Sequence, residues 1–288
     1  MKNFKQIYGP WALITGASSG IGRAMSEQLA QQGLNIVAVA RNQANLDELK
    51  DSLETRFSVK VRTLSADLSD PQASYDIDKQ TTDLDIGLLI PNAGIENNGA
   101  FIDNPIEAEQ KMLTLNTTSP MLLSHLFGQR FKQRFQNSFA NKKPSSQKKS
   151  GILLTSSLFG YQGVPFVSNY SASKAYILSL GEALNVELKP YGIDVSVLSP
   201  GLTDTAMPGN MAIDFSKMPI TLHKPEFVAR TGLNALGKKA TVVPGFINKF
   251  YAWENRLIPR SWPVKLFGML IKRAMTVKTN NVAAKVNV

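Results

Sequence analysis

Trp11-Ala12-Leu13-Ile14-Thr15-Gly16-Ala17-Ser18-Ser19-Gly20-Ile21-Gly22 is a short apolar run that breaks into a glycine-rich turn and then into helix-like sequence. The run through Thr15 is too short for a helix and reads as a strand. Gly16, Gly20 and Gly22 let the chain turn tightly and bring its backbone close to a pyrophosphate. The N–H groups and dipole of the following helix would face that anion. Ser18, Ser19 and Ile21 complete the candidate cradle. Glycines alone would be weak evidence; their place after a strand and before a helix gives them meaning. The same residues satisfy G-x-S-x-G, the nucleophile elbow of serine hydrolases. That reading fails on position, because an elbow sits on an interior strand and nothing strand-like precedes Trp11. The two histidines, His125 and His223, also lack the context of a general base.

Beyond this unit, apolar strands alternate with longer helix-like stretches, the pattern of repeated βα units. Strands are predicted at Trp11–Thr15, Leu34–Ala40, Val59–Ala66, Ile86–Pro91, Gly151–Ser156, Ile193–Ser199 and Thr241–Val243. Helices are predicted near 20–32, 42–56, 70–82, 105–136, 168–190 and 225–237. The strands read as near-continuous apolar runs, as strands covered on both faces do. The expected fold is α/β: a doubly wound, mostly parallel seven-stranded sheet of Rossmann type, with ligands at the carboxyl ends of the strands. Residues 1–245 form the expected cofactor-binding and catalytic domain, and 246–288 a basic, amphipathic helical extension. Asn137–Ser150, rich in Lys, Ser and Asn, reads as a solvated loop.

The chain lacks cysteine, which excludes disulfides and thiolate metal sites, and two histidines make a histidine-built metal site an unlikely design; no metal is expected. No run is apolar and long enough to span a bilayer, and the first residues lack the pattern of a secretion signal, so a cytoplasmic location is expected. The net charge of +10 is unevenly spread. Residues 130–149 hold seven Lys/Arg and no acid, and residues 238–288 hold ten against the single Glu254, leaving an acidic body. A nucleic-acid-binding surface would not be built this way, and no nucleic-acid partner is expected.

Dinucleotide folds place an acid after the second strand for the ribose 2′-OH of NAD, or an arginine for the 2′-phosphate of NADP. Here that strand ends Val39-Ala40-Arg41-Asn42, so Arg41 points to NADPH/NADP+ rather than NAD. The bland alternative is that Arg41 merely solvates a loop. Further on, Tyr170 and Lys174 lie four apart and hence on one helix face. An adjacent ammonium favours the phenolate and brings proton exchange with a carbonyl oxygen within reach. Tyr75 and Lys79 share that spacing, but in an exposed, acidic helix with no strand end beside it. Tyr170 differs because Ser156-Ser157 end a buried strand thirteen residues before it, and because Asn116 is polar among neighbours that should be buried. A capping or core-satisfied amide is the plain alternative for Asn116.

Thr15–Gly22, Asn92-Ala93-Gly94, Asn116, Ser157, Tyr170-x-x-x-Lys174 and Pro200-Gly201 resemble, in order and spacing, the short-chain dehydrogenase/reductase family. The resemblance covers roughly Tyr8 to Gly245 and implies an NADP-dependent oxidoreductase. By it, Tyr170 protonates the substrate oxygen while hydride arrives from the nicotinamide, and Ser157 orients that oxygen. Lys174 binds the ribose and lowers the tyrosine pKa, and Asn116 holds a water on the proton path. Asp67 and Leu68 would flank the adenine, Asn92, Ala93 and Gly94 would line the cofactor, and Pro200, Gly201, Thr203 and Thr205 would cover the nicotinamide amide. Pro91 departs from the family's usual Asn or Asp, with a local effect expected on cofactor packing.

The opening Tyr8–Thr15 and the tail are similar to a subgroup holding long-chain 3-oxoacyl reductases and 17-beta-hydroxysteroid-type dehydrogenases. A lipophilic ketone or acyl-thioester substrate follows as an expectation. The methionine-bearing stretch Met207–Lys224 would close over it, or simply pack in the core. In the tail, Phe246, Phe250, Trp253 and Leu257 recur at helical spacing, and Ser261, Lys265, Gly268 and Lys272 form a narrow polar stripe on the next apolar helix. Such helices pack on the body, form a dimer contact, or lie against an anionic membrane or acyl carrier. A homo-oligomer, formed by the helices around 105–136 and 168–190, is the family expectation. A protein that binds NADP(H) without turnover, as a sensor or scaffold, is the alternative reading, against which the full Asn116–Ser157–Tyr170–Lys174 set argues.

Overall fold

The structure, a computed structural model, describes residues 3–140, 149–205, 213–214, 220–254, 257–259 and 261–275. Its strands are β1 (Trp11–Thr15), β2 (Asn35–Ala40), β3 (Val61–Ser65), β4 (Ile86–Ile90), β5 (Ser150–Thr155), β6 (Ile193–Leu198) and β7 (Thr241–Val242). They form one parallel sheet in the order β3-β2-β1-β4-β5-β6-β7. Every predicted strand is present: β1 as predicted, β5 shifted by one residue toward the N-terminus, and the others shortened at their ends. The chain reverses its direction of progress between β1 and β4, and this switch point opens a crevice at the carboxyl ends of those strands.

Strand alternation divides the core into two layers. Ala12, Ile14, Ile36, Leu88 and Leu153 face one side, against α1 (Phe4–Tyr8), α2 (Gly20–Gln31), α3 (Gln43–Phe57) and α8 (Pro225–Ala235). Leu13, Val37, Leu89, Ile152 and Val195 face the other, against α4 (Gln72–Lys79), α6 (Ser119–Ala140) and α7 (Ser168–Glu187). Both faces being covered, the strands carry apolar residues without alternation, as their sequences suggested.

Three elements depart from the sequence-based expectation. Helix α1 was not foreseen, since five residues show no period; it holds because Phe4 and Tyr8 are buried and the Tyr8 hydroxyl donates to Asp194 Oδ2 at 2.7 Å. The helix expected over 105–136 is α5 (Ile106–Leu113), a π-helical turn at Thr114–Thr118, and then α6. That last helix runs to Ala140, so the first part of the expected loop Asn137–Ser150 is helical, and Ser150 already belongs to β5. Residues 141–148 lie outside the described residues.

The extension forms α9 (Phe246–Glu254) and α10 (Ser261–Ala274), which pack on the body. Tyr251 meets Phe267 at 5.7 Å between ring centroids, and Phe267 meets Phe159 of the body at 6.1 Å. Most of the expected substrate-covering stretch Met207–Lys224 lies outside the described residues. Its Ile213 is buried and bridges Met275, just beyond α10.

Candidate active site

At the switch point, a cavity of about 210 Å³ opens over the carboxyl ends of β1, β4 and β5. Gly16, Ser19, Gly20 and Ile21 form its floor on the β1 side. Gly16 and Gly20 have φ of +65° and +51°, which an L side chain rarely adopts. Gly22 is required for another reason: a Cβ there would strike the carbonyl oxygen of Gly16 and stand 2.7 Å from Asn92 Nδ2. Ser19, at the N-cap of α2, makes no side-chain cap bond, so the helix's first N–H groups are left to a ligand. Ser18 is half-buried in the same turn but does not line the cavity.

The opposite lip is pinned to β1. Thr15 Oγ1 accepts from the backbone N–H of both Asn92 and Ala93 at 3.0 Å, and Asn92 Nδ2 donates to Thr15 O at 3.2 Å. Thr155 Oγ1 donates to Asn92 Oδ1 at 3.3 Å, tying β5 into the same network. Pro91 follows the last residue of β4, where its missing N–H costs no ladder bond. These contacts close the crevice floor and leave its backbone rigid beneath any bound molecule.

Ser157, Tyr170 and Lys174 line one wall of the cavity. Ser157 follows the end of β5, where its Oγ also accepts from Phe159 N at 3.2 Å. Tyr170 and Lys174 sit in the first half of α7, both buried, with Lys174 Nζ 5.7 Å from the Tyr170 ring centroid and donating to Thr155 O at 3.2 Å. The twin pair behaves as expected: Tyr75 is an exposed side chain on α4. Asn116 lies in the π-helical turn, outside the cavity wall but behind Gly94. Its Oδ1 accepts from Ile95 N at 3.0 Å, and its Nδ2 donates to Ile95 O at 2.8 Å and to Ser173 Oγ at 3.2 Å. The amide is thus satisfied and holds the Gly94–Ile95 backbone against α7; the extra residue of a π turn re-aims such a side chain. Ala93, Gly94, Pro200, Gly201, Thr203 and Thr205 also line the cavity.

Three expected cofactor contacts stand outside this enclosure. Arg41 is exposed just past β2, with no acid beside it in the position expected for NAD recognition. Asp67 is turned to Ser69, whose N–H and Oγ donate to its Oδ1 at 3.1 and 2.8 Å, and to Lys111 at 3.5 Å. Leu68 is buried in the core layer beneath. All three follow strands β2 and β3, so they border the crevice beyond the cavity rather than its centre.

Sequence reasoning missed Glu96. It lines the cavity two residues past Gly94, and its Oε1 is buried without a hydrogen-bond partner. Its place in the sequence, a lone acid in the Asn-rich turn after a central strand, does not by itself report burial. Burial pushes its carboxyl up to about 8, with the Lys174 ammonium pulling the other way. Burial likewise lowers Lys174 to about 8, opposed by Glu96. Tyr170 also departs from expectation. Burial first, and then the Glu96 charge, hold its phenol above the ordinary range, while a hydrogen bond with Ser157 lowers it. Desolvation outweighs the Ser157 hydrogen bond, and Tyr170 is kept protonated.

Glycine turn, uncapped helix end and buried Tyr–Lys pair fit a nicotinamide dinucleotide, and residues 10–214 match the family described as short chain dehydrogenase. The chain belongs to that family. Among relatives of this short-chain dehydrogenase, a 7beta-hydroxysteroid dehydrogenase of Mediterraneibacter gnavus is 29% identical over 250 residues, covering 85% of this chain and 89% of the relative. A very-long-chain 3-oxoacyl-CoA reductase of Neurospora crassa is 30% identical over 256 residues, 87% of this chain and 71% of the relative. A short-chain dehydrogenase from Sphingobium yanoikuyae, solved in complex with NADPH, superposes with a TM-score of 0.75 at 30% identity, covering 86% of this chain and 94% of that one. A 3-oxoacyl reductase and a hydroxysteroid dehydrogenase among the relatives agree with the subgroup suggested by the sequence.

Proposed function

We propose that this short-chain dehydrogenase is an NADPH-dependent reductase of a ketone on a lipophilic substrate, a 3-oxoacyl thioester or a steroid-like ketone. The observation that carries the reading is the convergence of Ser157, Tyr170 and Lys174 on one cavity with the glycine turn. Bound NADPH would supply the hydride. Tyr170, kept protonated by its burial, donates its hydroxyl proton to the substrate oxygen, and Ser157 donates a second hydrogen bond to that oxygen. Lys174 would hold the nicotinamide ribose, stabilise the tyrosinate left when Tyr170 gives up its proton, and return a proton toward it, its lowered pKa making it a usable proton source near neutrality. Asn116 acts through the backbone it holds, keeping Gly94 and Ile95 against α7. Arg41 would accept the 2′-phosphate, with Asp67 and Leu68 along the adenine side.

The chemistry of the walls supports a lipophilic substrate. Phe159, Leu158, Leu202 and Ile220 share the cavity with the polar catalytic wall. The named activities of the two relatives are of the same substrate kind. The extension 246–288 is read as an accessory to the 1–245 catalytic domain, and the assembly as a homodimer through α6 and α7.

Titration with NADPH and NADH, followed by turnover against a panel of 3-oxoacyl thioesters and steroid ketones, tests the reading. NADPH is expected to bind more tightly, and Arg41→Ala to cost it about tenfold or more with little effect on NADH, as loss of a charge-assisted hydrogen bond would. Tyr170→Phe should retain NADPH binding and lose a factor of about 10³ in kcat. Nucleotide binding without turnover of any ketone would favour a sensor; no binding of either nucleotide would overturn the assignment.

A further inference from the structure

Helices α9 and α10 are amphipathic in an unusual sense: each buries one face and leaves a second apolar face outside. On α9, Phe246, Phe250 and Trp253, at helical spacing, are 86%, 55% and 54% exposed. On α10, Trp262, Leu266 and Met269 repeat the spacing at 62%, 44% and 51%, while Pro263, Phe267 and Ile271 are buried on the body side. The helices meet through Tyr251 and Phe267. An exposed cluster of large apolar side chains on a folded chain marks an interaction surface.

The charges on these helices decide the partner. Lys249, Lys265, Lys272 and Arg273 are exposed, and the one carboxylate among the described residues of α9 and α10, Glu254, is only half-exposed with its Oε1 buried. Aromatic residues interspersed with cations, and no exposed acid, match an anionic lipid surface: rings enter the acyl boundary while ammonium groups stay at the phosphates. A second copy of this chain fits poorly. An isologous contact would set the four cations against their own copies with no carboxylate to pair them. No helix among the described residues is long and apolar enough to cross a membrane, so the contact would lie in the interface plane.

We infer that the outer faces of α9 and α10 form a docking surface for an anionic lipid bilayer. Docking there places the bilayer one helix diameter, about 10 Å, from Phe159 in the cavity wall, because Phe267 on the inner side of α10 packs on that ring. This inference stands without the proposed activity, since its readout is lipid binding.

The test is flotation of the full chain with phosphatidylcholine vesicles and with phosphatidylcholine–phosphatidylglycerol vesicles, at low and at high salt. Binding to the mixed vesicles, weaker at high salt and on phosphatidylcholine alone, is expected, with a blue shift of tryptophan emission. Lys265→Gln with Lys272→Gln should weaken it about twenty-fivefold, at about fivefold per charge near the surface. Phe250→Glu with Trp253→Glu, and separately Trp262→Glu with Leu266→Glu, should abolish it while a parent-like circular dichroism spectrum and cooperative thermal transition of each variant report an intact fold. No flotation with the mixed vesicles at low salt overturns the inference. So does binding unchanged in the properly folded aromatic variants, or a dimer of the unaltered chain that those variants dissociate.

Discussion

Burial dominates the titration of Tyr170 and Lys174, and the buried Glu96 modifies both. It raises Tyr170, props up the charge on Lys174, and has no hydrogen-bond partner for its own Oε1. Its carboxyl titrates near 8 instead of near the usual carboxylate value, so the folded protein holds a proton that the unfolded chain has lost between about pH 4.5 and 8. The stability this proton confers is complete at pH 4.5 and lost as pH rises through 8. Glu96→Gln, neutral throughout, should therefore flatten the pH dependence across that window by on the order of 2 kcal/mol, the variant gaining on the parent as pH rises. Urea unfolding midpoints at pH 5 and pH 8 measure this, and parallel profiles for the two proteins would discard Glu96 as the titrating group. The candidate catalytic residues Ser157, Tyr170 and Lys174, which the structure brings to one cavity, were legible because strand end, spacing and motif coincide in the chain. Glu96 was not, because its importance comes from burial, and burial of a loop acid is a property of the tertiary fold.

Among the elements, the strand–turn–helix of β1 and α2 is the most tightly constrained. Its legibility has the same physical cause: glycine is needed where backbone meets backbone, and the need leaves a mark in sequence. Gly22→Ala would bring a Cβ against the Gly16 carbonyl oxygen and close to Asn92, so the turn must open. We expect a loss of about 1–3 kcal/mol in stability and a weakening of NADPH binding by about tenfold or more, read by calorimetry and fluorescence titration. An alanine variant that binds NADPH as the parent does would remove the turn from the cofactor site. The break in the helix at Thr114–Thr118 was hidden by contrast. A π turn keeps the apolar period on both sides and only inserts a residue, so Asn116 could be singled out in the sequence but its bonds to Ile95 could not. Helix α1 was equally hidden, being defined by where Phe4 and Tyr8 land rather than by a pattern of its own.

Over the whole molecule, exposed apolar groups gather in more than one region, and their chemistry differs. The face of α9 and α10 is cationic, whereas α7 exposes Tyr176 at 44% and Val186 at 72% beside acids such as Glu182 and Glu187 as well as polar residues. A self-complementary contact needs a surface that does not repel its own copy, and α7, with α6 beside it, meets that need better than the basic extension does. The charge imbalance was plain in the sequence, but its division between a docking face and a pairing face follows from which sides of the helices the body covers. A dimer through α7 predicts that Val186→Glu, and Tyr176→Glu independently, shift the mass in solution from dimer toward monomer while NADPH binding and thermal stability change little, because both side chains are exposed in the single chain. Light scattering over a concentration series reads the mass. A parent that is monomeric at every concentration, or a dimer that both variants leave intact, would place the pairing surface elsewhere.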